Sequence, residues 1–261
     1  MKQQWLNYTG ENHGTWNILY ARQSENLQRK VWSPFHALLR DAMILPEEIP
    51  RFENIDDALR KKTGWSIEVV PGIIPVKEFF DLLAAKKFCS STWLRRRDQL
   101  DYLEEPDMFH DTFGHLPFLM HEGYSNFVQQ FGELGQRYHD HPDAVLLLER
   151  LYWFTIEFGL VHEHNRTKVF GAGIISSFGE TNHVFNGKVE IRKFSVENVL
   201  LTPFRNNEVQ NLYFEAADAV DVFSCIPQTE QLIRKVLSAT VPREQFRFEE
   251  QLGSMLPEIA G

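Results

Sequence analysis

The chain is poor in cysteine. Only Cys89 and Cys225 occur in 261 residues, and neither belongs to a C-x-x-C pair. A disulfide scaffold and a thiolate zinc site are thereby excluded, and a reduced, cytoplasmic protein is the expectation. Positive charge is also scarce: 27 Lys and Arg face 36 Asp and Glu, for a net charge of −9. Basic runs are no longer than three residues, as in Arg95-Arg96-Arg97, so nucleic acid is not expected as a partner. No uncharged run is long enough to span a bilayer, and Met1-Lys2-Gln3-Gln4-Trp5 lacks an apolar signal core, so no membrane partner is expected either. Low-complexity linkers and internal repeats are missing too, which leaves one domain over residues 1–261.

What is present is apolar and aromatic: 43% hydrophobic residues, with 21 Phe, enough for a large core. Periodicity predicts a mainly α fold with small β hairpins. A loop is expected over 5–17. Helices are expected over 17–41 (interrupted at Pro34), from 54 to Gly64, from Pro75 to about Lys87, over 122–139, 142–164, 208–224 and 228–239. Residues 65–71 alternate like a strand, 90–97 read as an extended connector, and Gly171-Ala172-Gly173 opens a loop. Asn186-Gly187, inside His183–Ile191, predicts a hairpin turn.

The densest chemistry lies between Glu105 and Pro117, where His110, His115, Asp107 and Asp111 crowd into thirteen residues. Forty-two residues beyond His115, Glu157 stands alone in the apolar run Leu151–Leu160. A carboxylate in an apolar helix needs a cation or a hydrogen-bond network. On residue types alone, a hydrogen-bonded core cluster is the commoner outcome. Two neutral imidazoles and one carboxylate also suit non-haem Fe(II), with open positions for oxygen. Histidines five residues apart lie about 140° apart on an ideal helix. Sharing a metal therefore predicts a helix broken between them, at Gly114 and Pro117. His139, His141, His162 and His164 alternate in polar contexts and read as surface residues; His121 and His183 have no supporting pattern.

The pattern P-D-x-x-H-D-x-x-G-H-x-P, followed by Y-W-F-T-x-E-F-G, resembles the pterin-dependent aromatic amino acid hydroxylases over about residues 5–245. That family holds the phenylalanine, tyrosine and tryptophan hydroxylases. The resemblance implies a single catalytic domain of that fold, using Fe(II), tetrahydrobiopterin or a related tetrahydropterin, and O2. His110, His115 and Glu157 match the metal ligands. Gly72, Ile74, Phe79, Asp111 and Tyr152 match the pterin site, with the first three in a loop where backbone groups meet the ring edge and an aromatic stacks on its face. Arg95 matches the arginine that takes the amino acid's carboxylate, and Asp107 the acid that orients it. Trp153, Phe158, Gly173, Ser176 and Glu180 match the remaining substrate side. No further side chain is expected to act as principal acid or base.

Departures from the family pattern are Leu103, Cys89, Asn206 and Glu149; Asn206 leaves the ring choice among Phe, Tyr and Trp open. The compact form, with no regulatory domain before it and no tetramerising helix after it, resembles the bacterial phenylalanine hydroxylases. It implies a monomer acting on L-phenylalanine. Rival readings are a zinc hydrolase, disfavoured by the missing H-E-x-x-H, and a non-catalytic binding protein on the same fold.

Overall fold

The structure, a computed structural model, describes residues 1–101 and 105–251. Leu103 lies outside the described residues. The expected loop at the N-terminus is in fact helical from Gly10: Thr9 caps α1 (Gly10–Asn26), and its backbone N–H donates in return to Asn12. This reciprocal cap offsets the poor helix propensity of Gly10 and Gly14. The predicted interruption at Pro34 is real, and α2 (Phe35–Asp41) starts directly after it. α3 (Phe52–Lys62) ends at Gly64, whose φ of +82° reverses the chain.

β1 (Ser66–Val69), α4 (Val76–Ala84) and β2 (Lys87–Ser90) form a crossover unit, with the two strands paired in parallel from Ser66↔Lys87 to Val69↔Ser90. The extended connector thus supplies a paired strand at its start. α5 (Glu122–Tyr138) packs closely on α4 and is capped by His121, which accepts from the Tyr124 N–H.

The predicted 142–164 helix is shorter. α6 (Pro142–Tyr152) passes into a π-helical turn over Trp153–Glu157, then into β3 (Leu160–Glu163) and β4 (Arg166–Val169). His164 and Asn165, with φ of 50° and 59°, make the two-residue turn between these antiparallel strands. A hairpin therefore forms here, and the one predicted at His183–Ile191 is absent. Residues 171–180 hold α7 (Ala172–Ile175) and the start of α8 (Phe178–Val184), where Ser177 caps the Glu180 N–H. Gly187 does take a positive φ of 75°, but β5 (Glu190–Lys193) then leaves to pair elsewhere.

After α9 (Val196–Leu201), the helix predicted over 208–224 is replaced by β6 (Leu212–Ala216) and the short α10 (Ala219–Phe223). Alternating Leu212, Phe214 and Ala216 against Tyr213 and Glu215 fits a strand, and pairing to both β3 and β5 in parallel overrides helix propensity. The sheet order is β4-β3-β6-β5. α11 (Ile226–Leu237) is close to its predicted span. The aromatic core, including Trp32, Phe35, Phe113, Phe118 and Phe170 in mutual ring contact, sits beneath the histidine-bearing segment.

Candidate metal and pterin site

The predicted break at Gly114 does not occur. Residues His110–His115 wind as a π-helix, with the Leu116 N–H bonded to the Asp111 carbonyl five residues back. In an i→i+5 winding, residues five apart stack along one side. The five-residue spacing that an α-helix would splay is thus brought into line by a wider turn. Gly114 serves packing instead: a Cβ there would lie 3.0 Å from the Ala172 carbonyl oxygen. Phe109 and Phe113, stacked at 4.8 Å, hold the turn against Trp16 and Phe35. Glu157 closes a second π-turn, in which the Phe158 N–H reaches the Trp153 carbonyl at 2.8 Å.

The three side chains converge. His115 Nε2 lies 3.0 Å from Glu157 Oε1 and 3.0 Å from His110 Nε2, and His110 Nε2 lies 3.7 Å from Glu157 Oε2. One ligand atom from each falls within 4.8 Å of the others, the single such group of His, Cys, Asp and Glu among the described residues. Ser176 Oγ sits 2.9 Å from His110 Nδ1, and Phe88 packs on the His115 ring at 4.9 Å. Burial alone would raise the Glu157 carboxyl, but the two histidines outweigh it and bring it down to about 2. Burial lowers His110 to about 4. At neutral pH His110 is therefore a neutral imidazole and Glu157 an ionised carboxylate, the protonation states a metal ligand needs. Two nitrogens and one carboxylate on converging sides fit Fe(II).

A cleft open to solvent borders these three residues. All five expected pterin residues, Gly72, Ile74, Phe79, Asp111 and Tyr152, line it. Burial raises Asp111 to about 7 against the pull of the Ser91 N–H, which donates to Oδ2 at 2.9 Å; Ser90 Oγ lies 3.1 Å from the same oxygen. Asp111 thus bonds to the end of β2 and to neither imidazole.

The substrate-side candidates do not border this cleft. Asp107 is fully buried and accepts four hydrogen bonds: Arg95 N–H and Nε on Oδ2, Arg95 Nη2 and the His110 N–H on Oδ1. The acid that pairs with Arg95 is therefore also the cap of the histidine turn, and Arg95 Nη1 keeps no partner among the described residues. Trp153 stacks on Phe204 and contacts Phe158, each at 4.4 Å, and its Nε1 donates to Gln210. Gly173 presses on the ligand cluster, where a Cβ would stand 3.0 Å from Glu157 Oε2. Glu180 sits apart from this group and accepts from the Tyr213 hydroxyl at 2.9 Å.

Sequence reading passed over Phe88, Ser90, Ser91, Trp93 and Glu105, which pack on His115, hold Asp111 or line the cleft. For the first of these the one signal in the sequence was its apolar aromatic side chain. Nothing in the sequence marked Ser90.

An α-rich domain with a two-imidazole, one-carboxylate cluster beside such a cleft defines an oxygenase-like metal centre. The chain belongs to the biopterin-dependent aromatic amino acid hydroxylase family, whose model matches residues 2–241. It is 36% identical to the phenylalanine-4-hydroxylase of Vibrio cholerae over 219 residues, 84% of this chain and 75% of that protein. The structure of the Chromobacterium violaceum phenylalanine hydroxylase with bound oxidised Fe(III) superposes with a TM-score of 0.87 at 32% identity, covering 93% of this chain and 88% of the other. Another structure of that enzyme, holding iron(III) and the oxidised cofactor 7,8-dihydrobiopterin, gives 0.83 at 33% identity over 90% and 86%. The expected family and the mainly α fold are borne out. No helix among the described residues is long and apolar enough to cross a membrane.

Proposed function

We propose that this protein is an Fe(II)- and tetrahydropterin-dependent monooxygenase that converts L-phenylalanine to L-tyrosine with O2. One observation carries the reading: the three metal-ligand candidates and all five pterin candidates meet in a single cleft. The names of the relatives support phenylalanine as the ring.

His110, His115 and Glu157 would hold the iron, which with the reduced pterin supplies oxygen activation. Phe79 would stack on the pterin, a contact worth about 1 kcal/mol, so orientation falls to hydrogen bonds from the backbone at Gly72 and Ile74 and from Asp111. Tyr152 walls the cleft between Phe79 and His115. Arg95, held by Asp107, has Nη1 without a partner among the described residues and would meet a carboxylate there. Trp153 and Phe158 would wall the aromatic ring, with Gly173 and Ser176 packed against the ligands and Glu180 at the far edge. The protein works as a single-domain monomer in the cytoplasm.

The test is anaerobic iron loading, then tetrahydropterin and air with Phe, Tyr and Trp in competition. Tyrosine as the main product, coupled to pterin oxidation, is expected. Hydroxylation of Tyr or Trp in preference to Phe would overturn the ring assignment, and no oxygen uptake at all would overturn the chemistry.

A further inference from the structure

β2 ends beside Asp111, and the contact is one-sided. Ser90 is 1% exposed, with Oγ 3.1 Å from Asp111 Oδ2. The Ser91 N–H donates to that same oxygen at 2.9 Å. Oδ1 has no hydrogen bond among the described residues, while Asp111 lines the cleft beside Gly72, Ile74 and Phe79. The final torsion of an aspartate is soft and nearly two-fold, so a carboxylate held by one donor can swap its oxygens. A second donor on the same oxygen removes that freedom. The Ser90 hydroxyl has one proton and a second acceptor within reach, the Ser91 carbonyl at 3.0 Å. The Ser91 N–H already fixes Oδ2 in place, so that oxygen is the acceptor the two donors share.

We propose that Ser90 is a positioning residue for the cofactor: it turns Asp111 so that Oδ2 faces the protein and Oδ1 faces the N–H edge of a reduced pterin. This rests on the reading above that Asp111 faces the pterin. A reduced pterin carries ring N–H and amino donors, and a carboxylate oxygen already directed at them is preorganised to accept. Ser90 itself does not line the cleft, so its effect passes through Asp111.

The experiment is an anaerobic calorimetric titration of the iron-loaded protein with tetrahydrobiopterin, repeated with L-phenylalanine. Wild type, Ser90→Ala, Asp111→Ala and the double variant are compared, with thermal melts to verify folding. Ser90→Ala should weaken pterin binding about three- to tenfold, the net worth of one ordinary hydrogen bond. It should leave phenylalanine and iron affinity within about twofold. In the Asp111→Ala background, removing the serine hydroxyl should add nothing. Unchanged pterin affinity in Ser90→Ala, with Asp111→Ala impaired, overturns the role of Ser90 and leaves the cofactor reading standing. An equal loss in both backgrounds also overturns it, since the effect would then bypass Asp111. If Asp111→Ala binds pterin as wild type does, the cofactor reading of Asp111 falls, and the proposal with it.

Discussion

Asp107 illustrates how closely single residues are tied together here. Its four hydrogen bonds neutralise a buried guanidinium and cap the turn that carries His110. Removing one member of a buried ion pair strands the other charge, at about 3–5 kcal/mol. Asp107→Ala should therefore lose about that much stability in denaturant unfolding, and a loss under 1 kcal/mol would show that Arg95 finds water instead. Ser176→Ala should act on the metal rather than on the fold. Without the hydroxyl at His110 Nδ1, metal affinity should drop by roughly 10- to 100-fold, read by anaerobic Fe(II) titration. Glu180 supplies a pH test. Burial raises its carboxyl above the ordinary 4.5, against the opposing pull of the Tyr213 hydroxyl. A raised folded-state value means that the folded protein holds the proton more tightly than the unfolded chain. The stability this lends is complete below pH 4.5 and is lost as pH rises through the folded value. Glu180→Gln, which cannot ionise, should gain on wild type as pH climbs from about 4.5; thermal melts across pH that show the reverse trend would refute burial as the dominant cause.

At the scale of elements, two π-turns and one anchored segment shape the site. Both turns bearing the proposed ligands are wound with i→i+5 bonds, and α6 leads directly into the second. One turn earlier, α6 presents Arg150, fully buried, to the chain that follows α11. Its guanidinium donates to the carbonyls of Leu200, Phe246 and Arg247 and to Gln251 Oε1. Burial brings it down to about 10, so it remains charged at neutral pH. Arg150→Leu would leave those carbonyls without their donor, and each buried orphan costs about 1–3 kcal/mol. A loss of about 3 kcal/mol or more is expected, with faster amide exchange across residues 243–251; protection unchanged there would show that the stacked Phe246 and Phe248 suffice alone.

For the whole molecule, metal binding and folding should be linked. Glu157 and His115 come from segments far apart in the chain, and they meet only when it is folded. A ligand that binds the folded state alone adds about 2.7 kcal/mol at 100 times its Kd. For a chain of this size that corresponds to a melting rise of roughly 5–10 °C. Calorimetry with and without Fe(II) under nitrogen should show the rise in wild type and none in Glu157→Ala. An equal rise in both would place the metal elsewhere.

The reach of sequence reading followed the range of the interactions involved. Side-chain chemistry is local, so the donor types at His110, His115 and Glu157, the Arg95–Asp107 pair and the cleft-lining loop around Gly72–Phe79 were all legible from residues and motif. Helices with a continuous apolar face, such as α4, α5 and α11, were legible for the same reason. Windings and pairings depend on distant partners. The Asn186-Gly187 signal lost to α8 packing and to β5–β6 pairing, while the true hairpin turned on His164-Asn165, residues with no glycine to betray a positive φ. The sequence by itself determined which atoms this protein can offer to a metal. The tertiary structure decided that the turn between the histidines widens rather than breaks, because Phe109 and Phe113 are clamped by aromatics from α1 and α2, and that Ser90 ends up against Asp111.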